Sequence, residues 1–213
     1  MCAIKPLEVK KLNNPYRHNC NTCTNKCDGK SKGNYIFSND VEFSEFFEKR
    51  LILKVNNSDR FAQKTEIVGY PDVEVFKYKN GPLVCYTEVK AQRRTFMKVA
   101  EMLPESDLVA SETVALNWSD LNRYFEIGRE IDVPIYVLWV LAERPCVLGE
   151  KREMAFFQDL KVLEQIYNHY RDKRRFKRRS GFGDVVDGKH KGVVVNYHFS
   201  INELKAFTIN QII

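Results

Sequence analysis

Residues 69–92 read GYPDVEVFKYKNGPLVCYTEVKAQ and predict a β-hairpin that carries charged side chains. Two runs of apolar residues flank an Asn-Gly-Pro turn, which is a typical hairpin pattern. Side chains alternate between the faces of a strand, so Glu88 and Lys90 share one face of the second run. Asp72 follows a proline where the first run begins. If the runs pair as neighbouring strands, the sequence predicts that Asp72, Glu88 and Lys90 meet in one patch.

Two carboxylates in one patch repel each other unless a cation lies between them. Carboxylate oxygens with room for water suit Mg²⁺ or Mn²⁺. Such an ion polarises a phosphate oxygen and lowers the pKa of a bound water, and the Lys90 ammonium group can orient that water or stabilise transition-state charge. The alternative interpretation is a solvent-facing edge hairpin in which Glu88 and Lys90 form an ordinary ion pair.

Periodic apolar positions predict the elements around the hairpin. A helix is predicted from about residue 38 to Val55, with one apolar face at helical spacing. That face consists of Phe43, Phe46, Phe47 and Leu51. The other predicted elements are a strand or kinked pair of strands within 65–78, a strand over 83–92, helices over about 95–103 and 120–131, a strand or short helix within 107–116, and a buried strand over 135–142.

The last third of the chain predicts a long helix, a strand and a final helix. The long helix is expected over about 151–175, because apolar residues recur there at helical spacing before a basic run. Glycines then break the chain, and GVVVNYHF at 192–199 predicts a strand. Ser200 and Glu203 form the capping-box pattern that opens a helix.

The Pro-Asp pair at 71–72, followed by Glu88-Val89-Lys90 on an apolar strand, resembles the PD-(D/E)XK nuclease superfamily, which has the restriction endonuclease-like fold. The resemblance covers roughly residues 38–142 and implies an α/β fold with an αβββαβ core. It also implies that Asp72 and Glu88 bind a catalytic metal, with the Val89 carbonyl as a further ligand. Lys90 would then assist the attacking water.

Members of this superfamily often carry a further acid on the first helix. The resemblance therefore implies a role for Glu45 or Glu48, which lie three residues apart and share a helix face. Glu42 is a third candidate, and Glu48 in the sequence EKRL best resembles the resolvase-like pattern. Gln92 lies two residues beyond Lys90 on the same strand face and is expected to support the site.

The net charge of +6 is concentrated in the segment RDKRRFKRR at 171–179. This segment holds seven basic residues against one acid and accounts for the whole excess. Such a segment suits a polyanion such as DNA, although a solvated helix end or a localisation signal gives the same pattern. Arg93 and Arg94 add positive charge directly after the predicted strand. The basic residues of the segment are Arg171, Lys173, Arg174, Arg175, Lys177, Arg178 and Arg179.

Cysteine is concentrated near the start of the chain. The sequence HNCNTCTNKC places Cys20, Cys23 and Cys27 at spacings that suit one metal ion, with Cys2 or His18 as the fourth ligand. Zinc or an iron–sulfur cluster is the expected centre, and the alternative is an arm with reduced thiols. Iron–sulfur members of the nuclease superfamily typically divide four cysteines between both ends of the domain. This chain departs from that pattern, because it has no cysteine near its C-terminus.

Together these features predict a Cys-rich arm over 1–35, a nuclease core over 36–149 and C-terminal additions over 150–213. Neither a membrane-spanning run nor a secretory signal is evident, so an intracellular location, cytoplasmic or nucleoid-associated, is expected. The expected function is Mg²⁺- or Mn²⁺-dependent hydrolysis of DNA by an endonuclease, with a homodimer if both strands are cut. The alternatives are a non-catalytic nucleic-acid-binding module on a degenerate nuclease fold and a protein–protein adaptor.

Overall fold

The computed structural model describes residues 37–93, 95–142, 144–177, 185–186, 189–190 and 195–207. Its helices are α1 (Phe37–Asn56), α2 (Val99–Met102), α3 (Trp118–Glu130), α4 (Pro145–Leu148) and α5 (Leu160–Tyr170). Its strands are β1 (Phe61–Lys64), β2 (Val73–Phe76), β3 (Leu83–Gln92), β4 (Thr113–Asn117), β5 (Ile135–Ala142), β6 (Glu153–Asp159), β7 (Arg175–Lys177), β8 (Val185–Val186), β9 (Lys189–His190), β10 (Val195–Ser200) and β11 (Lys205–Ala206). None of these described helices has the length and apolarity needed to cross a membrane.

Six strands form the main sheet in the order β1-β2-β3-β5-β6-β11. The first three pair in antiparallel fashion, β3 runs parallel to β5, and β6 and β11 continue the sheet antiparallel. A parallel pair needs a crossover connection, and α3 lies within that connection. The succession of α1, the three strands β1 to β3, α3 and β5 is an αβββαβ core. The predicted fold class is thereby confirmed.

Apolar side chains cover both faces of the main sheet. On one face, α1 packs its apolar stripe, which includes Phe47 and Leu51, against Val89 of β3. On the other face, α3 and α5 pack over β5. Successive residues of β3 point to opposite faces, so Glu88 and Lys90 lie on the α3 side of the sheet.

A second sheet, with the order β4-β10-β7, docks on the end of β3. The side-chain amide of Gln92 pairs with the main chain of Ala115 in β4: its Nε2 donates to the carbonyl oxygen at 2.9 Å, and its Oε1 accepts from the N–H at 3.3 Å. The Trp139 indole N–H donates to the same carbonyl at 3.1 Å. These bonds satisfy polar groups inside the fold and hold the two sheets together.

The long helix predicted over 151–175 is wrong. Glu153–Asp159 forms β6 beside β5, and Leu160–Tyr170 alone is α-helical in this stretch. Asp159 caps that helix, because its side chain accepts a hydrogen bond from the Lys161 N–H at 2.7 Å. Apolar residues keep helical spacing on both sides of the cap, so periodicity does not reveal the boundary between strand and helix.

Two shorter predictions also need correction, and the strand predicted within 65–78 is confirmed over Val73–Phe76. The helix expected over 95–103 is a single turn, Val99–Met102. Of the stretch 65–78, β2 is the strand, and its antiparallel partner β1 lies earlier in the chain. The capping box of Ser200 and Glu203 is present, but it closes one 3₁₀ turn before the chain enters β11.

The buried His198 of β10 makes the stability of the fold depend on pH. Its Nδ1 lies 3.2 Å from the Arg174 carbonyl oxygen, and burial lowers the pKa of this imidazole from 6.5 to about 4. Between these values the unfolded chain binds more protons than the folded one. The stabilising contribution is therefore complete above about pH 6.5 and is lost as the pH falls towards 4, by about 3 kcal/mol in the free energy of unfolding.

The measurement is urea-induced unfolding of the wild type and of His198→Asn at about pH 7 and about pH 4.5. Asparagine keeps an N–H donor for the Arg174 carbonyl but does not titrate, so acidification should destabilise it less than the wild type. His169→Asn, an exposed change on α5, should follow the wild type. Equal pH dependence in His198→Asn and the wild type would contradict this explanation.

Candidate active site

Asp72 stands directly before β2 and reaches across to β3. The ladder between these strands pairs Val73 with Thr87. Beyond that pair, the Asp72 carboxylate replaces the main chain as the hydrogen-bond partner of β3. Its Oδ2 accepts a hydrogen bond from the Val89 N–H at 2.9 Å. The side chain of Asp72 is therefore held against the middle of β3.

Glu88 is 1% exposed and has a partner for each carboxylate oxygen. The Lys90 Nζ lies 2.5 Å from its Oε1, and the Tyr124 hydroxyl of α3 donates to its Oε2 at 2.6 Å. These partners offset part of the cost of burying the charge. Burial raises the pKa of Glu88, the Lys90 ammonium opposes that rise and the Asp72 charge adds to it, so the pKa reaches about 7.

The same charges act on Lys90 and Asp72. Burial would lower the pKa of Lys90, but attraction to the Glu88 and Asp72 carboxylates outweighs it and raises that pKa above its ordinary value. Burial also raises the pKa of Asp72, while the Lys90 charge and the Val89 N–H oppose the rise. Lys90 is therefore a protonated ammonium group at neutral pH, beside two acids.

Glu48 of α1 lies on the Asp72 side of this patch. Burial raises the pKa of Asp72, and the negative charge of Glu48 adds to that rise. The Glu48 side chain is 12% exposed and lies 3.6 Å from the Lys64 ammonium. Glu45 is more exposed, at 44%, and pairs with Lys49 of the same helix at 3.8 Å. Of these two acids, Glu48 has the better position for joining the patch.

Helix α3 supplies three side chains that sequence patterns did not indicate, namely Asp120, Arg123 and Tyr124. Arg123 donates from Nε to the Gly69 carbonyl at 2.7 Å and from Nη2 to Asp120 Oδ1 at 2.8 Å. Asp120 is in turn one of the acids whose attraction to Lys90 outweighs burial and raises its pKa. Spacing of three and four places these residues on one helix face. Nothing in the sequence of α3 itself shows that this face packs against β3.

Gln92, Arg93 and Arg94 follow the charged residues of β3. Gln92 is engaged with Ala115, so its contacts join the two sheets, and its support of the site stays a prediction. The guanidinium carbon of Arg93 lies 4.2 Å from the ring centroid of Phe43 in α1. Arg94 lies outside the described residues.

Most of the basic segment that the structure describes reaches the surface. Arg175 stacks on Trp118, with its guanidinium carbon 5.6 Å from the ring centroid, and pairs with Asp172 at 3.1 Å. Lys173 pairs with Glu105 at 3.2 Å. The exposed members are Arg171, Lys173, Arg175 and Lys177. Arg178 and Arg179 lie outside the described residues.

Arg174 belongs instead to the protein interior, where it is 1% exposed. Its Nη1 donates to both carboxylate oxygens of Glu203 at 2.8 and 2.7 Å, and its Nε donates to the Ser106 carbonyl at 3.0 Å. Its guanidinium carbon also lies 3.4 Å from the ring centroid of Tyr170. A guanidinium buried in this way cannot reach an external phosphate. The expected phosphate contact of Arg174 is therefore corrected to a structural ion pair.

The predicted N-terminal metal centre lies outside the described residues, which do not include Cys2, Cys20, Cys23 or Cys27. The zinc or iron–sulfur centre stays a prediction. Within the described part of the chain, Cys85 is a buried thiol. Burial raises the pKa of this thiol to about 11, which keeps it protonated and unreactive at neutral pH.

Across the residues that the structure describes, no three His, Cys, Asp or Glu side chains form a cluster suited to a metal ion. Asp72 and Glu88 nevertheless suit a hard divalent cation in their chemistry. Burial raises the pKa of both, and the Asp72 charge raises that of Glu88 further, so a cation would relieve an unfavourable pair. Mg²⁺ commonly uses one or two carboxylates and retains several waters. Asp72 and Glu88 supply two carboxylates of this kind.

Comparisons with known proteins give distant structural likenesses only. No protein-family model and no curated protein sequence matches the chain. Among solved structures, the chain is similar to Hjc of the archaeal hyperthermophile Archaeoglobus fulgidus, a Holliday junction resolvase. The two are 12% identical, the match covers 74% of this chain and 83% of that chain, and the TM-score is 0.38. At that level the likeness supports no argument about activity, and the fold class follows from the strand order.

Proposed function

We propose that this chain is a divalent-metal-dependent deoxyribonuclease that hydrolyses phosphodiester bonds, most simply as an endonuclease. The observation that supports the proposal is the hydrogen bond from the Val89 N–H to Asp72, which brings that carboxylate beside the Glu88–Lys90 ion pair. Perturbed pKa values in so small a patch are typical of functional sites. Binding of a cation and a phosphate would explain why the fold keeps two carboxylates with raised pKa values close together.

Asp72, Glu88 and the Val89 carbonyl would hold Mg²⁺ or Mn²⁺. When bound, the ion would stabilise charge on a phosphate oxygen and lower the pKa of a water molecule. Tyr124 holds the Glu88 carboxylate through a 2.6 Å hydrogen bond, and so preserves its orientation when a ligand enters. Glu48 is expected to complete the site from the α1 side.

The Lys90 ammonium group brings a positive charge and N–H donors to the patch. Burial lowers its pKa less than the neighbouring acids raise it, so Lys90 donates hydrogen bonds and does not accept a proton at neutral pH. Its side chain is 27% exposed and is therefore accessible to a phosphate. We assign Lys90 to orienting the attacking water and to stabilising charge on the phosphate oxygens in the transition state.

The exposed basic residues around β7 are proposed to hold the DNA backbone. Arg175 stacks on Trp118, the first residue of α3, and Asp120 lies two residues further along that helix. Helix α3 thus connects the basic surface with the patch around Lys90. Contacts of this kind are sequence-independent and weaken with salt.

Arg175→Ala/Lys177→Ala is expected to bind duplex DNA more weakly and with a smaller salt dependence. Each lost phosphate contact lowers the slope of log K against log salt by about 1, so the slope should fall by about 2. Fluorescence anisotropy of a labelled duplex in EDTA measures this slope. The control Lys49→Ala/Lys54→Ala removes exposed lysines from α1, on the other face of the main sheet, and should leave it unchanged. An unchanged slope in the Arg175/Lys177 variant would exclude this surface from the interface.

A second candidate function is a non-catalytic nucleic-acid-binding module on a degenerate nuclease fold. It is favoured by the finding that the acids already have protein partners: Lys90 and Tyr124 engage Glu88, and the Val89 N–H engages Asp72. In that case the basic surface would bind DNA, and the charged patch would only stabilise the fold.

The experiment that separates these functions is incubation of the full chain with supercoiled plasmid and with single-stranded DNA, in Mg²⁺, Mn²⁺ or EDTA. Nicked or linear plasmid that forms only with metal supports the nuclease and also shows internal cutting. Binding in a gel-shift assay without cutting under any metal condition supports the module. A chain that neither binds nor cuts DNA contradicts both functions.

A further inference from the structure

The loop between β1 and β2 exposes two adjacent β-branched apolar side chains. Ile67 is 50% exposed and Val68 is 98% exposed. Single exposed apolar residues are common on protein surfaces. Here two neighbours project from one loop tip, four residues from Asp72.

The tip is held in a defined conformation. The Tyr70 N–H donates to the Ile67 carbonyl at 3.2 Å, which closes a four-residue turn. Gly69 has φ +90° at the third position of this turn, where a glycine is required because other residues are strained. Arg123 of α3 donates to the Gly69 carbonyl at 2.7 Å. The turn and Arg123 together hold the loop tip in place, with Val68 exposed to solvent.

The base of the same loop leads into the candidate active site. The Thr65 N–H donates to the Asp72 carbonyl at 2.9 Å, so the two ends of the loop are joined. Four residues span at most about 14 Å, so Val68 lies no further than that from the Asp72 backbone. Arg123, which holds the tip, also binds Asp120, whose charge acts on Lys90. Arg123 and Asp120 therefore connect the loop tip with the charged patch.

We propose that Ile67 and Val68 form an apolar wedge that inserts between neighbouring bases of DNA bound at this site. The inference rests on the proposed nuclease function and defines its substrate class. Wedges of this chemistry unstack a base step and kink the duplex at a cost in free energy. That cost is smaller where stacking is already weakened, so the preferred substrate is duplex DNA with a mismatch, a nick or a branch. Intact duplex is bound less well.

Duplex DNA fits this tip better than a protein partner does. A stable protein interface buries on the order of 1,000 Å² or more, which two small side chains on a narrow turn do not provide. The tip is also held by Arg123, whose positively charged side chain is 42% exposed. A cation next to an apolar tip suits a bent duplex.

The test uses Ile67→Ser/Val68→Ser and duplexes that carry 2-aminopurine, whose fluorescence rises when the base unstacks. Fluorescence and affinity are measured in EDTA, so that no cutting occurs, and plasmid cutting is measured separately in Mg²⁺. The wild type is expected to raise the fluorescence on saturation, and the double variant to leave it near the value of free DNA. The variant should bind mismatched duplex about ten-fold more weakly, because it loses the burial of two apolar side chains. Its affinity for intact duplex should fall less, because there the cost of unstacking offsets more of the gain from that burial.

Two further variants control for folding and for general loss of apolar surface. Ile67→Val/Val68→Ile preserves an apolar tip and should retain the fluorescence rise. Leu53→Ser removes an apolar side chain that is 62% exposed on α1 and should behave as the wild type. Circular dichroism and thermal unfolding verify that each variant is folded.

The outcomes separate the wedge from the nuclease proposal. Metal-dependent cutting without a fluorescence rise, or an equal rise in the wild type and the serine variant, overturns the wedge and leaves the nuclease intact. Failure of the wild type to bind any DNA overturns both. Binding of the wild type, but not of the serine variant, to phosphatidylcholine–phosphatidylserine vesicles, with no change in DNA binding, would assign the tip to a membrane surface and overturn the wedge.

Discussion

Lys90→Ala is expected to slow Mg²⁺-dependent cleavage of plasmid DNA by about 100- to 1,000-fold, the loss typical when one donor to a charged transition state is removed. The Lys90 Nζ lies beside Glu88 and is partly exposed, so the variant loses a cation where the phosphate would bind. DNA affinity should change little, because the basic residues around β7 are untouched. Cleavage rate and anisotropy-derived affinity, measured on one preparation, separate the two effects.

The matched control is Lys98→Ala, which removes an exposed lysine that pairs with Glu101 at 3.8 Å and should leave the rate unchanged. Lys90→Arg keeps the charge but not the compact geometry of the ammonium, and an intermediate rate is expected. Thermal unfolding verifies that the variants are folded. Cleavage at the wild-type rate by folded Lys90→Ala would exclude this lysine from the mechanism.

Asp72→Asn is expected to lower cleavage by about 1,000-fold or more, because a metal ligand contributes several kcal/mol to transition-state stabilisation. The asparagine amide oxygen can still accept the hydrogen bond from the Val89 N–H, so the junction of β2 with β3 is preserved. DNA affinity in EDTA should stay equal or rise, since one charge that repels phosphate is gone. The measurements are plasmid cleavage in Mg²⁺ and anisotropy in EDTA.

Asp132→Asn, in the exposed turn before β5, is the matched control and should cut at the wild-type rate. The non-catalytic module predicts a different pattern, in which neither the wild type nor Asp72→Asn cuts and both bind DNA equally. Wild-type cutting by Asp72→Asn would mean that any metal is held by other groups.

The strands that carry the charged patch can be predicted from the sequence. Alternation and a strong turn signal define the hairpin, and β3 spans Leu83–Gln92, the limits that its apolar pattern indicates. The continuous apolar run of β5 predicts its burial in the same way. The meeting of Asp72 with β3 follows once the two strands pair, because strand geometry determines which side chains are neighbours.

The parts of the fold that depend on tertiary contacts cannot be predicted in this way. Glu153–Asp159 has apolar positions compatible with a helix, and it becomes β6 because β5 offers a free edge for pairing. Tyr124 and Arg123 look like ordinary polar residues of an amphipathic helix. Their bonds to Glu88 and Gly69 depend on how α3 crosses the sheet.

The burial of individual side chains in the basic segment also cannot be predicted from the sequence. Sequence shows that charge is concentrated at 171–179, but it does not show which side chains turn inward. Arg174 is buried because Glu203, far along the chain, offers a carboxylate at bonding distance. Its neighbour Arg175 is exposed. A charge count therefore overstates the number of residues that can contact DNA.

Mn²⁺ binding, followed by electron paramagnetic resonance of the free ion, tests most directly whether one divalent cation joins Asp72 and Glu88. The wild type is expected to bind an ion that both Asp72→Asn and Glu88→Gln lose, while Glu45→Gln keeps it. Undiminished Mn²⁺ binding by the first two variants, or the absence of binding by the wild type, would contradict the account.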